Sequence, residues 1–218
     1  MKKKSLLLDL ISPFPPSKSF DNVVIKLDLS NHLGVIGRNA SGKRSVLSGI
    51  SRACENAKLQ VETVNFDAHR QTVRSQGNET VSRVLGGMRD NADIVVRFGL
   101  TSVWWRKLKS LSTGELRKVL LAKAVAKNPD VLILDRPFDG LDFKSRRSLS
   151  LLLDEVSNTT QTTQAKPLVQ GIKWQERFPV RLVVATHRPL QELSSRIQTI
   201  LQCSDGQRIQ QVPRSIKS

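Results

Sequence analysis

The chain's 218 residues suffice for one α/β domain with a real core and are too few for two comfortable domains plus linkers. Its 35 Lys plus Arg against 19 Asp plus Glu give a formal charge of +16, which suits phosphate-rich partners such as nucleotides, nucleic acid or an anionic membrane surface. Cys54 and Cys203 are too few for a disulfide framework and wrongly spaced for a zinc site, so a reducing, cytoplasmic setting is expected.

No apolar run approaches the roughly 18 to 20 residues that span a bilayer, and Asp9 and Pro13 interrupt the apolar stretch after Lys2-Lys3-Lys4 before it could act as a signal segment. Val23 to Leu29 and Leu33 to Ile36 read as two strands joined by a short turn. From Lys43, the spacing of Val46, Leu47, Ile50 and Ala53 is helical. Leu59 to Phe66 is expected as a strand, and Glu79 to Met88 as a short helix begun near Asn78. After Gly114 a periodic helix carries Leu116, Val119, Leu120, Ala122, Val125 and Ala126, and Asn128-Pro129 stops it. Val131-Leu132-Ile133-Leu134-Asp135 reads as a buried parallel strand that delivers a carboxylate to its carboxyl edge.

A turn at Asp139-Gly140 precedes a helix expected from about Ser145 to Val156. The Thr/Gln-rich tract from Asn158 to Gln164 opens a polar insertion expected to reach about residue 170. Arg181 to Thr186 is the next strand, with His187 after it, and Ile197 to Leu201 with Arg208 to Val212 reads as a terminal hairpin. There is no internal repeat. The basic residues are spread along the chain without aromatic interleaving, and Tyr is absent, so a base-stacking nucleic-acid surface is weakly supported.

Gly37-Arg38-Asn39-Ala40-Ser41-Gly42-Lys43 satisfies the G-x-x-x-x-G-K pattern, and it follows a strand and opens a helix, as a phosphate loop must. Inward-turned backbone N–H groups would cradle phosphate oxygens at the positive end of the helix, with Lys43 reaching the β- and γ-phosphates. The alternative, an ordinary glycine loop, leaves Lys43 unexplained. Arg44 stands where a Ser or Thr hydroxyl would bind Mg²⁺; a guanidinium has donors only, so Mg²⁺ would lose a ligand. Ser45 comes one residue late and points about 100° further around the helix, which makes it a poor substitute. If Ala40 needs a positive φ, its Cβ costs on the order of 1 kcal/mol.

Four motifs stand in order and register. They are Gly37 to Ser45; Leu111-Ser112-Thr113-Gly114-Glu115; Leu134-Asp135-Arg136-Pro137-Phe138-Asp139-Gly140-Leu141-Asp142; and Ala185-Thr186-His187. In this the chain resembles an ABC nucleotide-binding domain over about Ser5 to Val212, and Leu111 to Lys118 is most similar to the ModF/PhrA-type ABC proteins. The resemblance implies a single domain over 1–218 with an α/β P-loop NTPase fold: a mostly parallel central sheet and a small helical lobe at about 78–128. It implies ATP as ligand and a head-to-tail homodimer or heterodimer with another ABC domain, the membrane part being left to another chain. Nucleic acid remains a minor alternative, drawn from the charge.

The resemblance also distributes roles. Leu111 to Glu115 would be the signature, with Ser112, Thr113 and Gly114 donating to a nucleotide held by the partner; the bland role for Ser112 is a helix cap, compatible with the first. Asp135 would be the Walker B acid for Mg²⁺, Asp142 the D-loop acid and His187 the switch histidine. Arg136 occupies the place of the glutamate that polarises the attacking water, and an arginine takes up no proton near neutral pH. Two readings follow: an ATP-hydrolysing subunit, or a non-hydrolysing module in which Arg44 and Arg136 stand in for the cation or pair with Asp135 when the site is empty. Phe14 is a candidate for the aromatic under adenine, and either Asp67 or Gln71 for the Q-loop.

Overall fold

The computed structural model describes residues 5–10, 23–28, 32–86, 91–157, 180–187, 193–194, 197, 199–204 and 208–213. Phe14, the polar tract from Asn158 and the turn at Asp205-Gly206 lie outside them. The central sheet has six strands: β3 (Leu33–Gly37), β4 (Val61–Asn65), β5 (Val131–Asp135), β6 (Arg181–Thr186), β7 (Thr199–Ser204) and β8 (Arg208–Pro213), in spatial order β4-β5-β6-β3-β7-β8. All neighbours are parallel except the β7–β8 pair, which is the expected terminal hairpin.

β5 and β6 are buried along their whole length. That is why both read as continuous apolar runs: a parallel strand covered on two faces has no polar side. Leu132 and Leu134 of β5, with Leu182 and Val184 of β6, join the core cluster of the lobe helices. Val131 and Ile133, with Val183 and Ala185, face the opposite way and pack with Val46, Leu47, Ile50 and Cys54 of α1 (Lys43–Asn56). Each such buried aliphatic side chain contributes about 1.5–3 kcal/mol of transfer free energy. Buried His32, read as turn, accepts the Leu182 N–H at Nδ1 (3.1 Å) and pins the start of β3 to β6.

β1 (Ser5–Leu10) pairs antiparallel with β2 (Val23–Asp28) in a separate two-stranded sheet. The apolar run before Asp9 is thus a strand, and β2 joins it instead of β3. The lobe comprises α2 (Phe66–Gln76), α3 (Val81–Val84), α4 (Ala92–Arg97) and α5 (Thr113–Ala126), and α6 (Phe143–Ser157) follows β5. Three boundaries differ from expectation. The strand over Leu59 to Phe66 is confined to β4 because Phe66 already begins α2. The helix expected over Glu79 to Met88 is a single turn, begun by Thr80, whose hydroxyl accepts the Arg83 N–H; Gly86, at φ 80°, lies just beyond it. Helix α6 begins at Phe143 because Asp142 caps it: Asp142 Oδ1 accepts the Ser145 N–H at 2.8 Å. Among the described residues no helix is long and apolar enough to cross a membrane.

Candidate functional site

The strand order brings the carboxyl ends of β3, β6 and β5 side by side, and each is followed by one of the singled-out motifs. Ile36 pairs with Thr186, and Asp135 with Ala185, so the loop after Gly37, His187 and Asp135 meet at one sheet edge. The loop turns sharply there. A Cβ on Gly37 would stand 2.5 Å from the Cys203 carbonyl oxygen, and Gly42 caps α1 at φ 90°. Ala40 has φ 62°, so this position does demand the left-handed region that a glycine would enter without cost. Ser41 is buried, and its hydroxyl has no hydrogen-bond partner among the described residues.

Lys43 is folded back on its own loop. Its Nζ donates to the carbonyl oxygens of Gly37 (2.7 Å) and Arg38 (2.6 Å), and only 7% of the residue is exposed. Burial pulls the ammonium below its ordinary pKa, while Cys203, Asp135 and Asp139 work the other way. These carbonyl contacts are ones an anion-facing ammonium would release. The loop therefore fits a phosphate chain: it ends at the start of α1 and holds the Lys43 ammonium beside it.

The surroundings of Asp135 are different. Arg44 Nε lies 3.6 Å from Asp135 Oδ2, a pair whose arginine side chain is 69% exposed and whose carboxylate is only 9% exposed. Asp135 thus faces a guanidinium, from the position where a hydroxyl ligand would be needed. These residues do not fit Mg²⁺ as they stand.

Arg136 has φ 57° and its N–H donates to the Ala185 carbonyl (2.9 Å), so it turns the chain out of β5 while still anchored to β6. Its guanidinium does not reach Asp135; it pairs with Asp139 Oδ2, three residues on. The expectation that both arginines close on Asp135 is corrected in this respect: the left-handed turn aims Arg136 along the loop. Asp139 Oδ1 also faces His187 Nδ1 at 3.6 Å. Asp139, read as a turn residue, therefore stands between Arg136 and His187.

At the start of α5, Ser112 caps the helix in a reciprocal capping box: its hydroxyl accepts the Glu115 N–H (3.2 Å) and Glu115 accepts the Ser112 N–H (2.7 Å). The bland role for Ser112 is thus real. Thr113 and Gly114 belong to the first helical turn, whose N–H groups have no intrahelical acceptors. Gly114 packs tightly, since a Cβ there would stand 2.9 Å from Ser145 Cβ. Asp142 holds Ser145 at both its N–H and its hydroxyl, and these bonds keep the Asp142 carboxyl below the usual range. The cap is present above that range and is lost as the pH falls through the depressed value.

The Q-loop expectation meets a helix. Gln71 is an exposed residue of α2, and the Asp67 side chain is outside the described residues. The amide side chain that ends a strand at the site belongs to Asn65, in register with Asp135. Its signal was a polar residue closing a strand-forming run. Within the Leu111 to Lys118 stretch, sequence pattern alone assigns Arg117 no role of its own. It is buried, and its guanidinium donates to the carbonyls of Arg136 (3.2 Å) and Asp139 (2.7 Å).

A mostly parallel α/β sheet with a glycine loop between strand and helix, and an acid at the end of the next strand but one, defines a P-loop nucleotide-binding domain. The family described as ABC transporter matches residues 20–139, more than half of the chain, which therefore belongs to that family. The ABC transporter ATP-binding protein ModF of Escherichia coli is 56% identical over 58% of this chain and 31% of its own length. A zinc import ATP-binding protein, ZnuC of Cereibacter sphaeroides, is 31% identical over 58% of this chain and 56% of its own. The chain thus spans about a third and about half of these two relatives. Among solved structures, the ADP conformation of an ATP-binding cassette of an ABC transporter is similar at TM-score 0.66 and 18% identity, over 96% of this chain and 89% of that one. CbiO1 of Clostridium perfringens, part of an ABC transporter complex, is similar at TM-score 0.62 and 16% identity, over 97% and 87%. At such identities the likeness speaks for the fold.

Proposed function

We propose that the chain is an ATP-binding subunit of the ABC type that holds nucleotide on Gly37 to Ser45 without a resident metal, does not turn it over there at a competent rate, and lends Leu111 to Glu115 to the ATP site of a second ABC domain. The observation that carries this reading is the Arg44–Asp135 pair at 3.6 Å. A guanidinium suits phosphate as well as carboxylate, so Arg44 can leave Asp135 for a phosphate oxygen. Arg136 removes the general base from the same site, and general-base help is worth roughly 10²- to 10⁴-fold in rate. The signature half carries no comparable lesion: Ser112 caps α5, and the N–H groups of Thr113 and Gly114 start it.

The purified chain tests the assembly half of this reading. With ATP it is expected to form a dimer, or to join a hydrolysing ABC partner, in sedimentation, while phosphate release by the chain alone stays at background. Rapid release by the chain alone, or a strict monomer with ATP and every ABC partner offered, contradicts it.

A further inference from the structure

We propose that Arg117 is a positioning residue that couples the chain's own nucleotide half to its signature helix. The coupling rests on the nucleotide-binding reading above. Arg117 is only 7% exposed, on α5, one turn beyond Gly114. Its planar fork spans the turn after β5 from end to end: Nη1 donates to the Arg136 carbonyl (3.2 Å) and Nη2 to the Asp139 carbonyl (2.7 Å). Between those two carbonyls runs the segment that carries the Asp139 carboxylate toward Arg136 and His187.

The bonds are made to backbone, so they fix the path of the turn whatever its side chains do. That path needs fixing. Arg136 sits at φ 57°, a conformation that costs a residue with a Cβ on the order of 1 kcal/mol or more. A guanidinium is suited to this task because it presents two donors in one rigid plane, where an ammonium presents a single point. The Asp139 carbonyl receives no backbone N–H among the described residues, so Arg117 satisfies a half-buried acceptor.

A second contact closes the link on the far side of the turn. Gly114 approaches Ser145 closely enough that a Cβ would collide with it, and Ser145 is held by Asp142. The segment from Arg136 to Ser145 therefore touches α5 at two points, Arg117 and Gly114. One point lies at the end of the strand that delivers Asp135, the other at the helix start that would face the partner's nucleotide. A displacement of the Asp135–Asp139 turn when nucleotide enters is thus carried to the start of α5 through the Arg117 hydrogen bonds and the Gly114–Ser145 contact.

Hydrogen exchange on the full chain tests this, with and without ATP, at a dilution where sedimentation shows a monomer. In the wild type, ATP should slow exchange over residues 37–45 and also over residues 112–116 and 136–142. The coupled response should be about fivefold or more, the lower end for linked sites. In Arg117→Met, which keeps the volume, slowing over 37–45 remains and the response over 112–116 disappears. Arg117→Lys, which keeps the charge and offers one bonding point, gives an intermediate response. A purely structural role would raise exchange with and without ATP alike and leave the ATP-dependent difference unchanged; that outcome overturns the proposal. So does a wild type in which ATP protects 37–45 and leaves 112–116 unaffected. If ATP protects nothing, 37–45 included, the nucleotide-binding reading fails, and the coupling with it.

Discussion

Replacing Arg44 by Ser and Arg136 by Glu together is expected to raise ATP turnover by about 10²- to 10⁴-fold over the wild type, the range that general-base help supplies. Serine at 44 gives the site the hydroxyl that its sequence position calls for and frees Asp135 from the pair at 3.6 Å. Glutamate at 136 supplies a proton acceptor where the chain now has a guanidinium. The backbone strain does not change, since Arg136 already occupies φ 57° and glutamate carries the same Cβ. Arg117 bonds the carbonyls of the turn, and these survive both substitutions.

The single variants should each fall far short of the pair. Arg44→Ser alone leaves no base; Arg136→Glu alone places a third carboxylate beside Asp135 and Asp139 with the metal seat still filled. Groups that act as one unit are strongly non-additive, so the shortfall of the singles is itself a signature. Phosphate release under saturating ATP and Mg²⁺ is the measurement. A double variant that binds ATP yet stays at the wild-type rate would show that the block lies elsewhere.

Lys43→Ala is expected to weaken ATP binding by about 10- to 150-fold, the equivalent of a charge-assisted hydrogen bond worth about 1.5–3 kcal/mol. Lys43 Nζ is shared between the Gly37 and Arg38 carbonyls, and on binding it would exchange these for phosphate oxygens. Because the lysine also ties the loop together, the variant loses order as well as charge. A fluorescent ATP analogue read by anisotropy gives the affinity directly. Unchanged affinity would move the nucleotide away from this loop.

Much of this was legible before the structure. The strand into Asp135, the loop from Gly37 to Lys43 and the cap at Ser112 depend on local pattern, and local pattern is what a sequence displays. Even the positive φ at Ala40 could be anticipated, because the register of the glycine loop fixes it. What stayed hidden are contacts between segments far apart in sequence. Nothing in the spacing of Arg117 reveals that it reaches carbonyls 19 and 22 residues away. The partner of Arg136 was misread for a related reason: a left-handed residue redirects its side chain, and only the backbone shows it. Helix α2 escapes a sequence reading because it is short of apolar residues, with only Phe66, Ala68 and Val73 to mark a buried side.

Whether Arg44 holds the place of a metal ion at this nucleotide site is decided by titrating the wild-type chain with ATP, in Mg²⁺ and again in excess chelator. With Arg44 in that role, each chain shows one tight site whose affinity changes by less than about threefold, under roughly 1 kcal/mol. A site that forms only with Mg²⁺, and loses ATP when the chelator is added, would contradict it.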